Sequence, residues 1–136
     1  MKRYVHGLAI VMFLVAPSAA GQCLNYEPDV VAISGELARE VHPGPPNYAS
    51  VQAGDRAETI WVVTLSEPIC VLGSSEPNSA ESNVGSIQVF LSAPQFEQYR
   101  PLVGSRVRIS GTLFHASSGH HYRAVLIHVE DMRSAA

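Results

Sequence analysis

Two segments far apart in the chain carry the same interrupted pattern, Ile33-Ser34-Gly35-Glu36-Leu37 and Ile109-Ser110-Gly111-Thr112-Leu113. In each, two large apolar residues share a strand face with a glycine between them. Glycine inside a strand weakens it unless the backbone must bend there or another backbone passes close by. Two strands bent alike are what a small, strongly curved sheet requires. Alternation elsewhere agrees with a mainly β fold. It predicts strands over 30–41, 58–65, 86–91, 104–116 and 122–130. Inward positions are Val31, Ile33 and Leu37, then Trp61, Val63 and Leu65, then Val107, Ile109 and Leu113, and finally Val125, Ile127 and Val129.

Between the third and fourth of these strands, Ser92 and Gln95 have the spacing of a capping box, with Pro94 in the first turn. The spacing predicts one short helix over 93–100, with Phe96 and Tyr99 on one face. Three strands, a helix, then two strands is the element order of a small OB-fold-like closed barrel, and closure removes exposed sheet edges. An open β-sandwich is the other arrangement compatible with the pattern. The connections are a long loop over 42–55, stiffened by Pro43-Gly44-Pro45-Pro46, a polar loop over 73–85, and a turn at Ser117-Ser118-Gly119. Residues 131–136 are expected to fray.

Lys2 and Arg3, an apolar run from Leu8 to Val15, and Pro17-Ser18-Ala19-Ala20 compose a secretory signal peptide over 1–20. The run is shorter than the roughly 20 apolar residues that span a bilayer. A single domain over 21–136 is expected, periplasmic or secreted, with no membrane anchor after cleavage. The whole chain carries 9 Lys and Arg against 12 Asp and Glu, a net charge of −3. Removing Lys2 and Arg3 leaves seven cations against the same twelve carboxylates, a net of −5. An acidic domain without lysine is ill suited to nucleic acid or to anionic membrane surfaces.

Cys23 and Cys70 are the two cysteines. In an oxidising compartment such a pair is expected as a disulfide. Lipidation of Cys23, just past the cleavage region, is the competing fate, although that signal wants a small residue where Gln22 stands.

The segment from His115 to Tyr122 holds three of the chain's six histidines, His115, His120 and His121. Imidazole is a common ligand for zinc, copper or nickel, so these three are candidate metal ligands, with His42 or Glu58 available from elsewhere. Against this, adjacent His120 and His121 would face opposite sides of a strand. His115 also fits as a satisfied buried polar group, and His128 as an exposed one. In an OB-type barrel the loops after strands one and four flank the usual binding face. That geometry would bring Asn47 and Tyr48 towards His120, His121 and Tyr122. Ser117 and Ser118 beside histidines leave a hydrolase as a third reading, without an orienting acid at any telling spacing.

Four separated motifs resemble an uncharacterised bacterial exported family, domain of unknown function 4431. They are Cys23-Leu24-Asn25-Tyr26-Glu27-Pro28, the stretch from His42 to Tyr48, Trp61 with Pro68-Ile69-Cys70-Val71, and Gly111 to Ala116 through Gly119-His120-His121. The resemblance implies no activity. Where relatives carry a third histidine followed by threonine, this chain has Tyr122 and Arg123, which favours a recognition surface over a histidine triplet. The expected function is a periplasmic binding or interaction module for an unidentified protein or small ligand. Its contact surface would join loop 42–55 to hairpin 115–122, with transition-metal binding as the alternative.

Overall fold

In the computed structural model, which describes residues 23–136, the chain is mainly β with one short helix. The expected leader and its cleavage site lie outside the described residues. Six strands form one sheet: β1 (Leu24–Asn25), β2 (Val30–Pro43), β3 (Ala57–Leu72), β4 (Glu81–Phe90), β5 (Arg106–His115) and β6 (Val125–Ser134). Helix α1 (Ala93–Tyr99) runs on into a 3₁₀ turn over Arg100–Leu102.

β2 belongs to two ladders. Its first half pairs antiparallel with β5 and its second half with β3, the two overlapping at Gly35 and Glu36. β5 pairs with β6, β6 runs parallel to β4, and β4 returns to β3. The five long strands therefore hydrogen-bond in a continuous circuit.

The repeated glycines explain themselves here. A Cβ on Gly35 would lie 2.0 Å from the carbonyl oxygen of Thr64, and one on Gly111 would lie 1.9 Å from that of His128. Both positions let a neighbouring strand's backbone press against the bend, the role glycine fills without steric cost.

The alternating residues form the core. Ile33, Leu37, Val63, Val107, Ile109, Leu113, Val125 and Ile127 are all buried, with Trp61 and Tyr99 among them. Phe96 meets Trp61 edge-to-face at 5.1 Å, so α1 packs against this core. Gln95 accepts the Ser92 N–H at 2.9 Å and donates to the Val129 carbonyl at 2.8 Å, fixing the helix start to β6.

Several boundaries differ from expectation. The two-residue β1, beside the Cys23–Cys70 disulfide, was not anticipated, so the helix follows the fourth strand rather than the third. β3 continues to Leu72 past Pro68, because a register shift between Thr64 and Ile69 takes the residue that lacks an N–H out of the regular ladder. β4 starts at Glu81, which pairs with Val71, inside the stretch expected as loop. β6 starts at Val125 rather than Tyr122. It does not fray after Glu130 but runs to Ser134, because Met132 turns into the core.

Candidate functional site

The loop after β2 is organised by Asp55. Its carboxylate accepts the backbone N–H groups of Asn47 (2.8 Å), Ala49 (2.8 Å) and Ser50 (2.9 Å). These bonds, Ser50's foremost, hold the Asp55 carboxyl below its usual range. Tyr48 takes a left-handed backbone conformation (φ 54°), and its ring stands 40% exposed at the loop tip. Asn47 lies beside it, also exposed.

The loop over 116–124 folds back over the outward side of β4 and β3. Gln88 of β4 secures it: the side-chain oxygen accepts the Tyr122 N–H at 2.6 Å, and the amide donates to the His120 carbonyl at 3.1 Å. Gln88 is only 6% exposed, and Ile60, Val62 and Leu126 are buried on the same outward side, outside the main core. Arg123 extends the fastening, donating to both oxygens of Glu40 (2.7 and 2.9 Å) and to the Ser86 hydroxyl (2.8 Å).

The two loops meet around Glu58. Its carboxylate accepts from His120 Nδ1 on one oxygen and from the Tyr122 hydroxyl on the other. Tyr48 packs edge-on against the His120 ring at 5.8 Å, and a methyl on Gly119 would sit 3.0 Å from Tyr48. His42 stacks on Tyr122 at 4.4 Å while its Nε2 donates to Glu40. Burial and the Glu58 charge push the Tyr122 hydroxyl up to about 12, so it stays a donor.

The three histidines expected as a metal set do not assemble. His115 directs Nε2 to Glu81 at 2.7 Å and Nδ1 to the Ala116 carbonyl at 3.1 Å. Both partners are acceptors, so both ring nitrogens carry protons and neither keeps a lone pair for a cation. His120 is tied to Glu58, and His121 Nδ1 accepts the Ser117 N–H at 2.9 Å. Among the described residues no group of three or more His, Cys, Asp or Glu could hold a metal ion.

Between β3, β4, α1 and this loop runs a groove of about 290 Å³. Its apolar lining includes the exposed Phe90, the half-buried Phe96 and the margins of the buried Trp61, Val89 and Leu91, and its polar lining is Glu58, Gln88, His120 and His121. Sequence reasoning missed the parts played by Gln88, Glu40 and Arg123. Each lies on a strand or loop with no local signal, and the bonds by which they fasten the 116–124 loop join residues 32 to 83 apart.

The sequence model of the family described as Domain of unknown function (DUF4431) matches residues 86–133. Over this segment the chain is similar to the DUF4431 family. The DUF4431 segment holds Ser86, Gln88, Phe90, the helix and the whole 116–124 loop, whereas Glu58, Tyr48 and Glu40 lie N-terminal to it. No curated protein matches the chain.

Two expected results test this site. Gln88→Ala leaves the Tyr122 N–H and the His120 carbonyl without their buried partner, at a cost of about 1–3 kcal/mol. Hydrogen exchange at the Tyr122 amide should speed up, while core amides such as that of Ile109 keep their order of protection. An unchanged Tyr122 exchange rate would show that Gln88 does not fasten the loop.

The pH dependence has two limbs. The Tyr122 hydroxyl, opposed by burial and helped by His120, holds Glu58 below its ordinary 4.5, and His42 chiefly does the same for Glu40. Their contribution is present above that value and lost as pH falls through the lower folded value. Hydrogen bonding to Glu81 raises His115 above 6.5, so its contribution is complete below 6.5 and lost as pH rises through the folded value. Urea midpoints should decline on both sides. Glu58→Gln should flatten the acid limb and Glu81→Gln the alkaline one; variants that keep both slopes would contradict these assignments.

Proposed function

We propose that this chain is an exported, periplasmic binding module built as a closed OB-type barrel, with a contact surface formed by loop 42–55 and hairpin 115–122. Supporting the barrel is the circuit of five long strands, closed by the parallel pair β4–β6, with the helix between the third and fourth long strands. Supporting export is the Cys23–Cys70 disulfide, a bond typical of oxidising compartments. No helix among the described residues is long and apolar enough to cross a membrane.

One observation carries the binding reading. Loop 42–55 and hairpin 115–122 converge where Tyr48 packs on His120, which is also bonded to Glu58 at the start of β3, beside an apolar groove with a few polar groups, the usual make-up of a small-molecule site. In OB-type barrels the second and third strands and the two flanking loops form the usual binding face. Here those strands are β3 and β4, and the groove lies across them.

The test is a fragment screen read by backbone amide shifts. Saturable shifts should cluster on 42–55, 58–61, 88–91 and 115–122, and Tyr48→Ala/His120→Ala should weaken them without altering the core amides. Hits scattered over other faces, or none at all, would refute the reading. Protein recovered from the periplasm should begin after Ala20; recovery with residues 1–20 intact would refute cleavage.

A further inference from the structure

We propose that the outward face of β2, β5 and β6 binds the phosphate of a small, soluble phosphomonoester through Arg106, Arg108 and Arg133. This site is separate from the surface described above and does not depend on it. Arg108 lies seven residues before His115 on β5, roughly 20 Å along the strand from the 116–124 loop.

Strand register puts like charges together. Arg108 of β5 stands directly opposite Arg133 of β6, and Ser34 of β2 faces Arg108 on its other side. Both arginines are exposed, whereas Val107, Ile109 and Met132 beside them in sequence are buried, so both side chains leave the sheet on its outer face. Arg106, also exposed and on the same face, leans across β2. Its Nη2 donates to the Ser66 hydroxyl at 2.5 Å, and that hydroxyl donates to the Ser34 carbonyl at 3.4 Å. The third guanidinium is thereby tied to the row that holds the other two.

Like charges directly opposite in a sheet are destabilising, and the chain does not offset them. Ion pairs among the described residues involve Arg100 and Arg123 but none of these three, and residues 1–22 contain no Asp or Glu. Carboxylates are not scarce, with 12 Asp and Glu against 9 Lys and Arg. Guanidinium stays charged at any relevant pH, and its fork of N–H donors matches phosphate oxygens in pairs.

The acidic neighbours limit what fits. Glu36 stands opposite Arg106 in the next row one way, and Asp131 opposite Ser110 in the next row the other way. Rows on one face are about 7 Å apart, so a carboxylate brackets the arginines at each end. A polyanionic chain following the strands would meet Glu36 or Asp131, whereas a single phosphate sits between them. A monocarboxylate would offset one charge of three; a phosphomonoester carries close to two near pH 7 and offers three acceptor oxygens. The outward positions around the row are Ala32, Ser34, Ser66 and Ser110, which give a lipid tail nothing to bury against, so the ester is a soluble one.

Titration with glycerol phosphate at pH 7.5 should shift the Nε–H resonances of Arg106, Arg108 and Arg133 saturably. Dimethyl phosphate, a monoanionic diester, should bind about tenfold more weakly. Arg108→Gln and Arg133→Gln should weaken glycerol phosphate to about the same degree, the usual worth of a hydrogen bond between charged groups. Arg100→Gln, which removes the same charge on the helix side, should keep wild-type affinity. Without ligand, Arg108→Gln should unfold in urea no earlier than wild type, because it relieves the opposed charges. Vesicles containing phosphatidic acid, which presents the same group on a surface, should bind no better than vesicles of phosphatidylcholine. Equal affinity for monoester and diester, an equal loss in Arg100→Gln, an earlier midpoint for ligand-free Arg108→Gln, preference for the phosphatidic acid vesicles, or no saturable shift at the three arginines would each overturn the proposal.

Discussion

Adding one methyl group at Gly35 or Gly111 is expected to destabilise the protein more than any other small substitution, by about 3 kcal/mol or more at each site. The new Cβ would lie 2.0 Å from the Thr64 oxygen in one case and 1.9 Å from the His128 oxygen in the other. Both obstacles are main-chain atoms held in ladders, so neither can rotate aside as a side-chain tip could. Relief requires the strands to separate, at Gly35 where β2 passes from one partner to the other. Gly85→Ala is the internal control. It lies in β4 with nothing within 4 Å of a Cβ, and should shift stability by no more than about 0.5 kcal/mol. Thermal midpoints of Gly35→Ala and Gly111→Ala should fall by roughly 10–20 °C. Curves that overlay Gly85→Ala would show that the strand crossing is not tight.

Loss of the Cys23–Cys70 bond is expected to cost about 4 kcal/mol, the chain-entropy value for a loop of this length. The two residues are 47 apart in sequence. β1 has only Leu24 and Asn25 to pair with Val71 and Leu72, too short a ladder to hold by itself. Tyr26 follows directly, buried, with its hydroxyl donating to the Ser79 carbonyl at 2.7 Å. Releasing β1 should therefore loosen Tyr26 and the 73–80 loop as well. Urea unfolding of Cys23→Ser/Cys70→Ser, and of the wild type under reductant, should show matching losses. Coincident reduced and oxidised curves would mean that β1 is held by other contacts.

The inward faces of β2, β3, β5 and β6 could be read directly from the sequence, because period-two alternation reports which side is covered. Ile109 and Leu113 on β5 are the clearest instance. The same reasoning gave no hint that Ile60, Val62 and Leu126 are buried on the opposite side. Their cover is the 116–124 loop, a tertiary arrangement that leaves no period in the strand beneath it. The convergence of Tyr48 with His120 followed from assuming one topology and placing its loops. Glu58 as the group between them did not, since a lone carboxylate at a strand start looks like any solvated one. β6 was cut short because Glu130 and Asp131 break the alternation, and Met132 restores it only after a shift in register at Ser110 and Gly111.

The sharing of β2 between two partners bears on how the DUF4431 segment can exist. Residues 86–133 supply β5, all of β6 but Ser134, and half of β4, in the spatial order β5–β6–β4. Severed from the rest, that piece would be a three-stranded ribbon with both flanks bare, β5 having lost β2 and β4 having lost β3. Flanks of that kind recruit foreign strands. The segment is therefore a recognisable stretch of sequence but not an autonomous folding unit, and it needs β2 and β3 wherever it occurs in this form.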